Sequence, residues 1–296
     1  MNNKIVIGTW PTSGDWGPNN ISETIELYTK SFFEYGFKEY DTAPNYGNGF
    51  SEFILGKIFY NQNVKINTKV GNLPFGKKSF KVDDIKESVD QSLQRLNRSS
   101  INILFLHNPR SELKDYEKII KLLNDYKSSN IINGFGISCA KGFNYDKYVD
   151  LTSFDYLQDD INLLCLDRII DFNESNYYAR SPLASGILSG KMDESTVFDE
   201  ADHRSSWLFG ERLKSLIQRV KAIRDISGKN IIDTSSRFLL HSPQVYKVIF
   251  GIRKISHLDR LNKIRSSEPL NHSIKNDLIN LYKNDFGLVN ETHLKY

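Results

Sequence analysis

Four side chains that could move a proton follow short apolar runs of the sequence. Asp41 closes the run KEYD, Lys69 closes VKINTK, and His107 closes INILFLH, while Tyr46 lies in the stretch APNYG just after Asp41. If these runs are successive strands of a parallel barrel, their carboxyl ends meet at one mouth, where such barrels assemble active sites. The sequence therefore predicts a site that holds a phenol, an ammonium, a carboxylate and an imidazole.

These four groups suit reversible proton transfer to a carbonyl oxygen. A free tyrosine has a pKa of about 10, and an adjacent ammonium would stabilise the phenolate and lower that value. We expect Lys69 to do this for Tyr46, with Asp41 holding the lysine charged. His107 could donate a hydrogen bond to the developing oxyanion. Each residue has an ordinary structural interpretation when taken singly, but their joint placement favours catalysis. The quartet supplies no hydride, so a redox reaction needs a cofactor.

Eight short runs rich in β-branched and aromatic residues predict the strands that would position these groups. They are Ile5–Gly8, Lys38–Asp41, Val64–Lys69, Ile101–His107, Gly134–Ser138, Phe154–Gln158, Tyr177–Ser181 and Val248–Phe250. Apolar residues at helical spacing predict helices over Ile21–Tyr35, Ser51–Tyr60, Asp83–Leu96, Lys114–Lys127, Glu211–Ile226 and Asp233–Leu240. Nearly continuous apolar runs such as INILFLH are typical of strands covered on both faces of a parallel sheet.

The alternation of strands and helices predicts an α/β fold, a single (β/α)8 TIM barrel over residues 1–296. No Pro-rich linker, low-complexity tract or internal repeat marks a domain boundary. We expect long loops at the C-terminal mouth, the longest irregular one from Leu188 to about Phe209, and a loop of that length is usually functional.

Charge and cysteine content exclude several classes of protein. Lys plus Arg total 39 against 36 Asp plus Glu, and a net charge of +3 is too small to indicate nucleic acid or an acidic membrane surface as partner. Cys139 and Cys165 cannot build a disulfide framework and have no metal-ligand spacing. The N-terminal stretch MNNKIVIGTW has too few apolar residues for a signal sequence or a membrane span. We therefore expect a cytoplasmic protein that starts at or near Met1 and holds no metal, while its oligomeric state, monomer or dimer, stays open.

The motifs together resemble one enzyme superfamily. The stretches YDTAPNYGNGFSEFILG, TKVG, LQRLNRSSINILFLHNP, GFGIS, LQDDINLL, SPLASGILSGK and FGIRK, in this order, are similar to those of the aldo-keto reductases over essentially the whole chain. The forms DTAPNYGNGFSE and TKVG look most like the bacterial branch that includes aldose, fucose, galactose and pyridoxal dehydrogenases. The resemblance implies a catalytic tetrad of Asp41, Tyr46, Lys69 and His107, with Tyr46 as general acid in reduction and general base in oxidation.

The same resemblance implies a nicotinamide dinucleotide lying across the barrel mouth, and no GxGxxG follows a strand to suggest a Rossmann site instead. Ser138 and Gln158 would bind the carboxamide, Arg180 would lie against the nicotinamide ring, and the loop from Ser181 to Lys191 would wrap the pyrophosphate. Arg253 could hold a 2'-phosphate, which favours NADP, with NAD possible. The full set of implied cofactor residues is Thr9, Trp10, Ser138, Gln158, Arg180, Ser181, Leu183, Ser185, Gly186, Lys191, Gly251 and Arg253.

The chain departs from the family pattern at three places. Cys139 follows Ser138 where Asn is usual, Phe250 replaces the proline of an IPG motif, and the EN pair that usually holds the adenine is missing near Arg260 and Leu261. One carboxamide contact and the adenosine contacts are therefore expected to differ. The catalytic four are intact.

Four side chains are candidates for contact with a small carbonyl or sugar substrate, because small-molecule sites are commonly lined by aromatic residues with a few polar groups. They are Trp10, Trp16, His203 and Trp207. Two other functions remain open: a nucleotide-binding regulatory member of the superfamily without significant turnover, and a barrel lyase or aldolase that uses Lys69 as a Schiff-base nucleophile. The second would need a lowered lysine pKa, whereas a paired Asp41 predicts the opposite. The particular substrate and the physiological direction stay open.

Overall fold

Eight strands form a closed barrel in which each strand is hydrogen-bonded to the next one in the sequence. The structure is a computed structural model that describes residues 4–110, 113–139, 145, 149–170, 176–228, 230–288 and 296. The strands are β1 (Ile5–Gly8), β2 (Glu39–Asp41), β3 (Lys65–Val70), β4 (Ile101–His107), β5 (Ile132–Ser138), β6 (Tyr156–Asp160), β7 (Tyr177–Arg180) and β8 (Val245–Gly251). The strands run parallel, with helices between them. The prediction of a (β/α)8 barrel is confirmed.

The helices form from amphipathic stretches, and the third of them shows how the residues at the two ends of a helix stabilise it. They are α1 (Ile21–Phe33), α2 (Phe50–Ile58), α3 (Val82–Leu96), α4 (Tyr116–Ser128), α5 (Asp167–Ile170), α6 (Gly210–Ser227), α7 (Ile231–Leu240), α8 (Ile255–Ile264) and α9 (His272–Lys283). In α3, Asp83 and Asp84 lie in the first turn and Arg95 in the last, which complements the helix dipole. Asn97 caps α3 in the left-handed conformation with φ 52°. The α3 stripe that packs inward includes Ile85, Val89 and Leu96.

The strand register brings the polar strand ends to one level. Gly8 pairs with Asp41 and Asp41 pairs with Asn67, so the end of β2 lies beside the middle of β3, two residues before Lys69. His107 pairs with Ser138, and Ser138 pairs with Gln158. His107 and Ser138 end β4 and β5, and Gln158 lies in the middle of β6, so the three residues stand in a row across neighbouring strands.

Several predicted boundaries differ from the structure. The strand predicted over Phe154–Gln158 runs from Tyr156 to Asp160, because the two acidic residues extend it instead of ending it. The one predicted over Val248–Phe250 already begins at Val245 and includes the buried Lys247. Three helices, α5, α8 and α9, were not among those predicted. The irregular stretch predicted from Leu188 to Phe209 contains a 3-10 turn at His203–Ser206.

Contacts group the chain into two compact units. The larger unit comprises Val6–Asp159 and Gly251–Leu258, and the smaller unit comprises Met1–Ile5, Asp160–Phe250 and Asp259–Tyr296. Strand β4 shows the core of the larger unit, since every one of its residues except Asn102 is buried. Among the described residues, no helix is both long and apolar enough to cross a membrane. A single domain over residues 1–296 stays a prediction.

Candidate active site

An ion pair between Asp41 and Lys69 lies at the ends of β2 and β3. Lys69 Nζ donates to Asp41 Oδ1 at 2.6 Å and to the carbonyl oxygen of Thr42 at 2.8 Å. Lys69 is 1% exposed and Asp41 is 4% exposed. Burial lowers the pKa of Lys69, but the charge of Asp41 and the contact with Tyr46 outweigh it, so this pKa lies above the usual value of a lysine. Lys69 is therefore an ammonium at neutral pH.

The second oxygen of Asp41 is fixed from β6. Gln158 Nε2 donates to Asp41 Oδ2 at 2.9 Å, and Ser138 Oγ donates to Gln158 Oε1 at 2.9 Å. Thr9 donates to the carbonyl oxygen of Asp41 from both its backbone N, at 3.0 Å, and its Oγ1, at 3.2 Å. Gln158, itself held by Ser138, thus fixes the carboxylate of Asp41, and Thr9 fixes the backbone of Asp41.

Tyr46 lies between the ammonium and the imidazole. The Nζ of Lys69 is 4.9 Å from the centroid of the Tyr46 ring. The ring centroids of Tyr46 and His107 are 5.9 Å apart at an interplanar angle of 84°. Tyr46 is half-buried, whereas Asp41, Lys69 and His107 are buried. The four predicted catalytic residues form one cluster in the larger unit, and Tyr46 is the member that a dissolved molecule reaches most easily.

Two tryptophans after β1 adjoin this cluster. Trp10 lies over Tyr46 with ring centroids 6.4 Å apart and planes inclined by 28°, and it meets Trp16 edge to face at 5.6 Å. Asp15 Oδ2 accepts hydrogen bonds from Trp10 Nε1 and from Ser13 Oγ, each at 2.7 Å. The loop thus fixes the indole of Trp10 beside the phenol of Tyr46. Both tryptophans were predicted to face the substrate.

Gly251 and Arg253 join the end of β8 to the same loop. A Cβ on Gly251 would lie 2.6 Å from Cγ of Pro11, so only glycine permits this close approach. Arg253 is exposed, and its Nη1 donates to the carbonyl oxygen of Trp16 at 2.6 Å while its Nη2 lies 3.4 Å from that of Pro18. A guanidinium has five N–H donors, so these contacts leave donors for a further group. Arg253 therefore supports the Trp16 loop, a role that the sequence did not indicate.

In the smaller unit, Arg180 precedes the predicted pyrophosphate loop, residues 181–191. Arg180 Nη2 lies 3.3 Å from Oδ2 of Asp160, which is 8% exposed. Beyond Ser181, three consecutive residues have positive φ, namely Ala184 at 48°, Ser185 at 53° and Gly186 at 89°. Successive left-handed residues can turn backbone N–H groups toward one side, as in anion-binding concavities. Leu183 precedes this run, and its carbonyl oxygen accepts from Gly186 N at 2.8 Å.

An arginine that the sequence analysis did not single out supports this run. Arg204 Nη1 donates to the carbonyl oxygen of Ser185 at 3.2 Å. Its Nε and Nη2 donate to the two carboxylate oxygens of Asp202 at 2.9 and 2.5 Å. Burial raises the pKa of Asp202, but these hydrogen bonds outweigh it and leave the pKa below its usual value. Arg204 is therefore a fixed cation beside the predicted pyrophosphate loop, and Lys191 at its far end is exposed.

The predicted substrate residues His203 and Trp207 also lie in the smaller unit. Their ring centroids are 6.4 Å apart, and Nδ1 of His203 is 3.7 Å from Oδ1 of Asp202. The last residue of the chain joins them, since the ring of Tyr296 lies 6.2 Å from Trp207 and its hydroxyl 3.3 Å from Oγ of Ser185. Tyr296 is 8% exposed, and burial together with the charge of Asp160 raises the pKa of its phenol. No motif in the sequence could have indicated this contact across 111 positions.

The structure distributes the predicted site residues over both units. The larger unit holds the catalytic four with Thr9, Trp10, Trp16, Ser138, Gln158, Gly251 and Arg253. The smaller unit holds Arg180, Ser181, Leu183, Ser185, Gly186, Lys191, His203 and Trp207. Within the larger unit the arrangement can donate a proton from a phenol and stabilise the anion that remains.

Comparison with known proteins identifies the family of the chain. The model of the "Aldo/keto reductase family" matches residues 4–276. Aldo-keto reductase YhdN of Bacillus subtilis is 26% identical over 301 residues, covering 95% of this chain and 90% of its own length. The NADH-specific methylglyoxal reductase of Escherichia coli is 26% identical over 246 residues, covering 73% of this chain and 74% of its own.

A solved structure gives the same result for the fold. The glycerol dehydrogenase AKR11B4 of Gluconobacter oxydans superposes with a TM-score of 0.78 at 21% identity, covering 98% of this chain and 94% of that one. At this identity the likeness concerns the barrel itself. The family model spans all the strands and every predicted site residue. The chain therefore belongs to the aldo/keto reductase family of oxidoreductases.

Proposed function

We propose that the chain is an NAD(P)-dependent oxidoreductase that interconverts the carbonyl and alcohol forms of a small substrate, an aldose, a sugar-like ketone or an aldehyde. The observation that carries this proposal is the half-buried Tyr46 beside the buried ammonium of Lys69, 4.9 Å from its ring centroid. When a hydride adds to a carbonyl carbon, the carbonyl oxygen becomes negatively charged and must gain a proton. Tyr46 is placed to give it.

The proton step follows from the charges around the phenol. When Tyr46 donates its proton to the substrate oxygen, a phenolate forms, and the nearby ammonium of Lys69 stabilises it. The charge of Asp41 keeps Lys69 protonated throughout, because the carboxylate lies 2.6 Å from Nζ. His107, 4% exposed, is placed to orient the substrate oxygen by a hydrogen bond. In the oxidation direction the phenolate takes the proton back.

The residues present fit a nicotinamide dinucleotide. The left-handed run at 184–186 and the cations Arg180, Arg204 and Lys191 suit a pyrophosphate, which carries negative charge and accepts hydrogen bonds. Ser138, at the end of β5, and Gln158, in the middle of β6, are the proposed partners of the carboxamide. When bound, the nicotinamide supplies or accepts the hydride.

Arg253 supports NADP as the preferred cofactor, since a guanidinium binds a phosphate well. Its contacts to the carbonyl oxygens of Trp16 and Pro18 place it on the loop after β1 without using all of its donors. NAD stays an alternative, and one relative is described as NADH-specific.

The substrate class rests on the side chains near Tyr46. Trp10 and Trp16 offer flat apolar faces, and aromatic faces pack well against the C–H groups of sugars and polyols. His203 and Trp207, which adjoin each other in the smaller unit, stay predicted substrate residues. The names of the relatives include a glycerol dehydrogenase and a methylglyoxal reductase, both of which act on small oxygenated molecules. A cytoplasmic location and a role in carbohydrate metabolism stay predictions.

The aldolase alternative finds no support in the environment of Lys69. A Schiff-base lysine must lose its proton near neutral pH, whereas the charge of Asp41 raises the pKa of Lys69. The regulatory alternative keeps the nucleotide site and differs only in turnover.

The proposal is tested by titrating the purified protein with NADPH and NADH, followed by rates on a panel of aldoses, polyols and aldehydes. Saturable binding with turnover is the expected result and decides the cofactor. Binding without turnover would favour the regulatory member. Failure of both nucleotides to bind would contradict the proposal.

A further inference from the structure

Phe75 is exposed and lies in a backbone conformation that a bulky side chain rarely adopts. It is 79% exposed, and its φ of 59° and ψ of 33° are left-handed. Glycine adopts such angles readily, whereas a bulky residue there is strained. Neither the backbone conformation nor packing against other described residues therefore explains why position 75 is a phenylalanine. Strain of this kind concentrates at functional sites.

Phe75 is at the tip of a short hairpin, residues 71–79, that follows β3. The backbone N of Leu73 donates to the carbonyl oxygen of Lys77 at 2.8 Å, and that of Ser79 donates to Gly71 at 2.9 Å. Gly71 has φ 105°, and a Cβ there would lie 2.1 Å from the ring of Phe80, so glycine is required at the base. The hairpin is a defined structure that holds its tip in place.

Two hydrogen bonds fasten this hairpin to the loop that carries Tyr46 and to the residue that follows His107. The backbone N of Phe75 donates to Oδ1 of Asn48 at 2.7 Å, and Asn48 lies two positions after Tyr46. Lys78 Nζ donates to the carbonyl oxygen of Asn108 at 2.7 Å, and Asn108 directly follows His107. The exposed ring therefore projects from the end of the larger unit at which the predicted proton donor lies.

We propose that Phe75 is a specificity-determining residue whose ring covers the apolar part of a carbonyl substrate that extends beyond the group held at Tyr46. The ligand class is aldehydes whose carbonyl carries an aromatic ring or a long alkyl chain. Glyceraldehyde, a three-carbon aldehyde, carries no such apolar part, so we expect it to gain nothing from this ring. The inference rests on the proposed function and narrows its substrate class.

The test compares the native enzyme with Phe75→Gly on 4-nitrobenzaldehyde and on glyceraldehyde. The expected result is a fall of about tenfold in the ratio of kcat/KM for the ring aldehyde over the short one, the usual scale for one apolar contact. The melting temperature should stay equal or rise, because glycine relieves the left-handed strain. Phe33→Ala, which removes another exposed ring (59% exposed) at the end of α1, is the matched control and should leave the ratio unchanged.

An unchanged kcat/KM ratio in Phe75→Gly overturns the inference. Turnover of either aldehyde in that experiment still supports the proposed function, so the two proposals fail separately. If the native enzyme turns over neither aldehyde, binding decides the inference separately. Quenching of tryptophan fluorescence by 4-nitrobenzyl alcohol then measures affinity for the ring, and about tenfold weaker binding by Phe75→Gly is expected. Equal binding by both proteins overturns the inference.

Discussion

Replacing Asp41 by Asn removes one charge from a buried ion pair and leaves the size and shape of the side chain nearly unchanged. In the native protein Lys69 is 1% exposed and its Nζ is 2.6 Å from Oδ1 of Asp41. At an effective dielectric constant of about 20, the Coulomb attraction at this distance is about 6 kcal/mol. Part of this attraction offsets the free-energy cost of taking both charges out of water. Removing one partner of a buried pair typically costs about 3–5 kcal/mol of stability. We expect a loss of this size in the free energy of unfolding at neutral pH.

The loss should shrink as pH rises. In the native protein the pKa of Lys69 is raised, so its contribution to stability is present below the unfolded pKa and is lost as pH rises through the folded pKa. In Asp41→Asn burial remains without the carboxylate, so the folded pKa falls below the unfolded one. The unfolded state then binds more protons, and the stability of the variant rises with pH up to about 10.4, the pKa of a free lysine.

Glu52→Gln is the matched control. Glu52 is fully buried, and its Oε2 accepts from Arg95 Nε at 2.7 Å, but Arg95 keeps its charge at every accessible pH. Urea unfolding of both variants at several pH values between about 7 and 10 gives the comparison. The deficit of Asp41→Asn should narrow with pH, whereas that of Glu52→Gln should stay constant. A deficit of Asp41→Asn that is below about 1 kcal/mol, or equal at all pH values, would refute the reasoning.

Two further variants test neighbouring contacts. Arg253→Ala should raise the KM for NADPH about 10- to 100-fold, the scale of a charged hydrogen bond, and that for NADH much less. Equal increases would mean that Arg253 acts only through the carbonyl oxygen of Trp16. Gln158→Glu places a second carboxyl group about 2.9 Å from the carboxylate of Asp41. Two carboxylates this close repel each other, so the pKa of the introduced carboxyl group rises in the folded protein. Thermal unfolding of Gln158→Glu should therefore show a deficit against the native protein that grows as pH rises from about 4, and a deficit independent of pH would contradict the contact.

The sequence was sufficient where elements carry uninterrupted apolar runs between clear boundaries. Strands β1 and β4 were predicted residue for residue, because IVIG and INILFLH are bounded by polar or turn-forming residues. Polar residues inside elements misled the prediction elsewhere. Asp160 looked like a loop residue, yet it ends β6 and pairs with Arg180. Helix α8 alternates charged residues with a buried stripe of Leu258, Leu261 and Ile264, which dilutes the helical pattern.

For the site, the sequence indicated which residue types lie at the carboxyl end of the barrel strands. It did not indicate which side chains hydrogen-bond to them. That Asp41, Tyr46, Lys69 and His107 gather in one cluster follows from strand order and register. The bond from Gln158 to Asp41 spans 117 positions and depends on side-chain rotamers that no spacing rule gives. The same holds for Tyr296 against Ser185 and Trp207.

Tyr46→Phe tests whether Tyr46 is the proton donor of the proposed reaction. This change removes one hydroxyl and keeps the ring that packs between Trp10 and His107. NADPH titration should give an affinity nearly equal to that of the native enzyme, while turnover of the best aldehyde should fall about 100- to 10,000-fold, the range for general acid catalysis. Undiminished turnover with intact nucleotide binding would contradict the account.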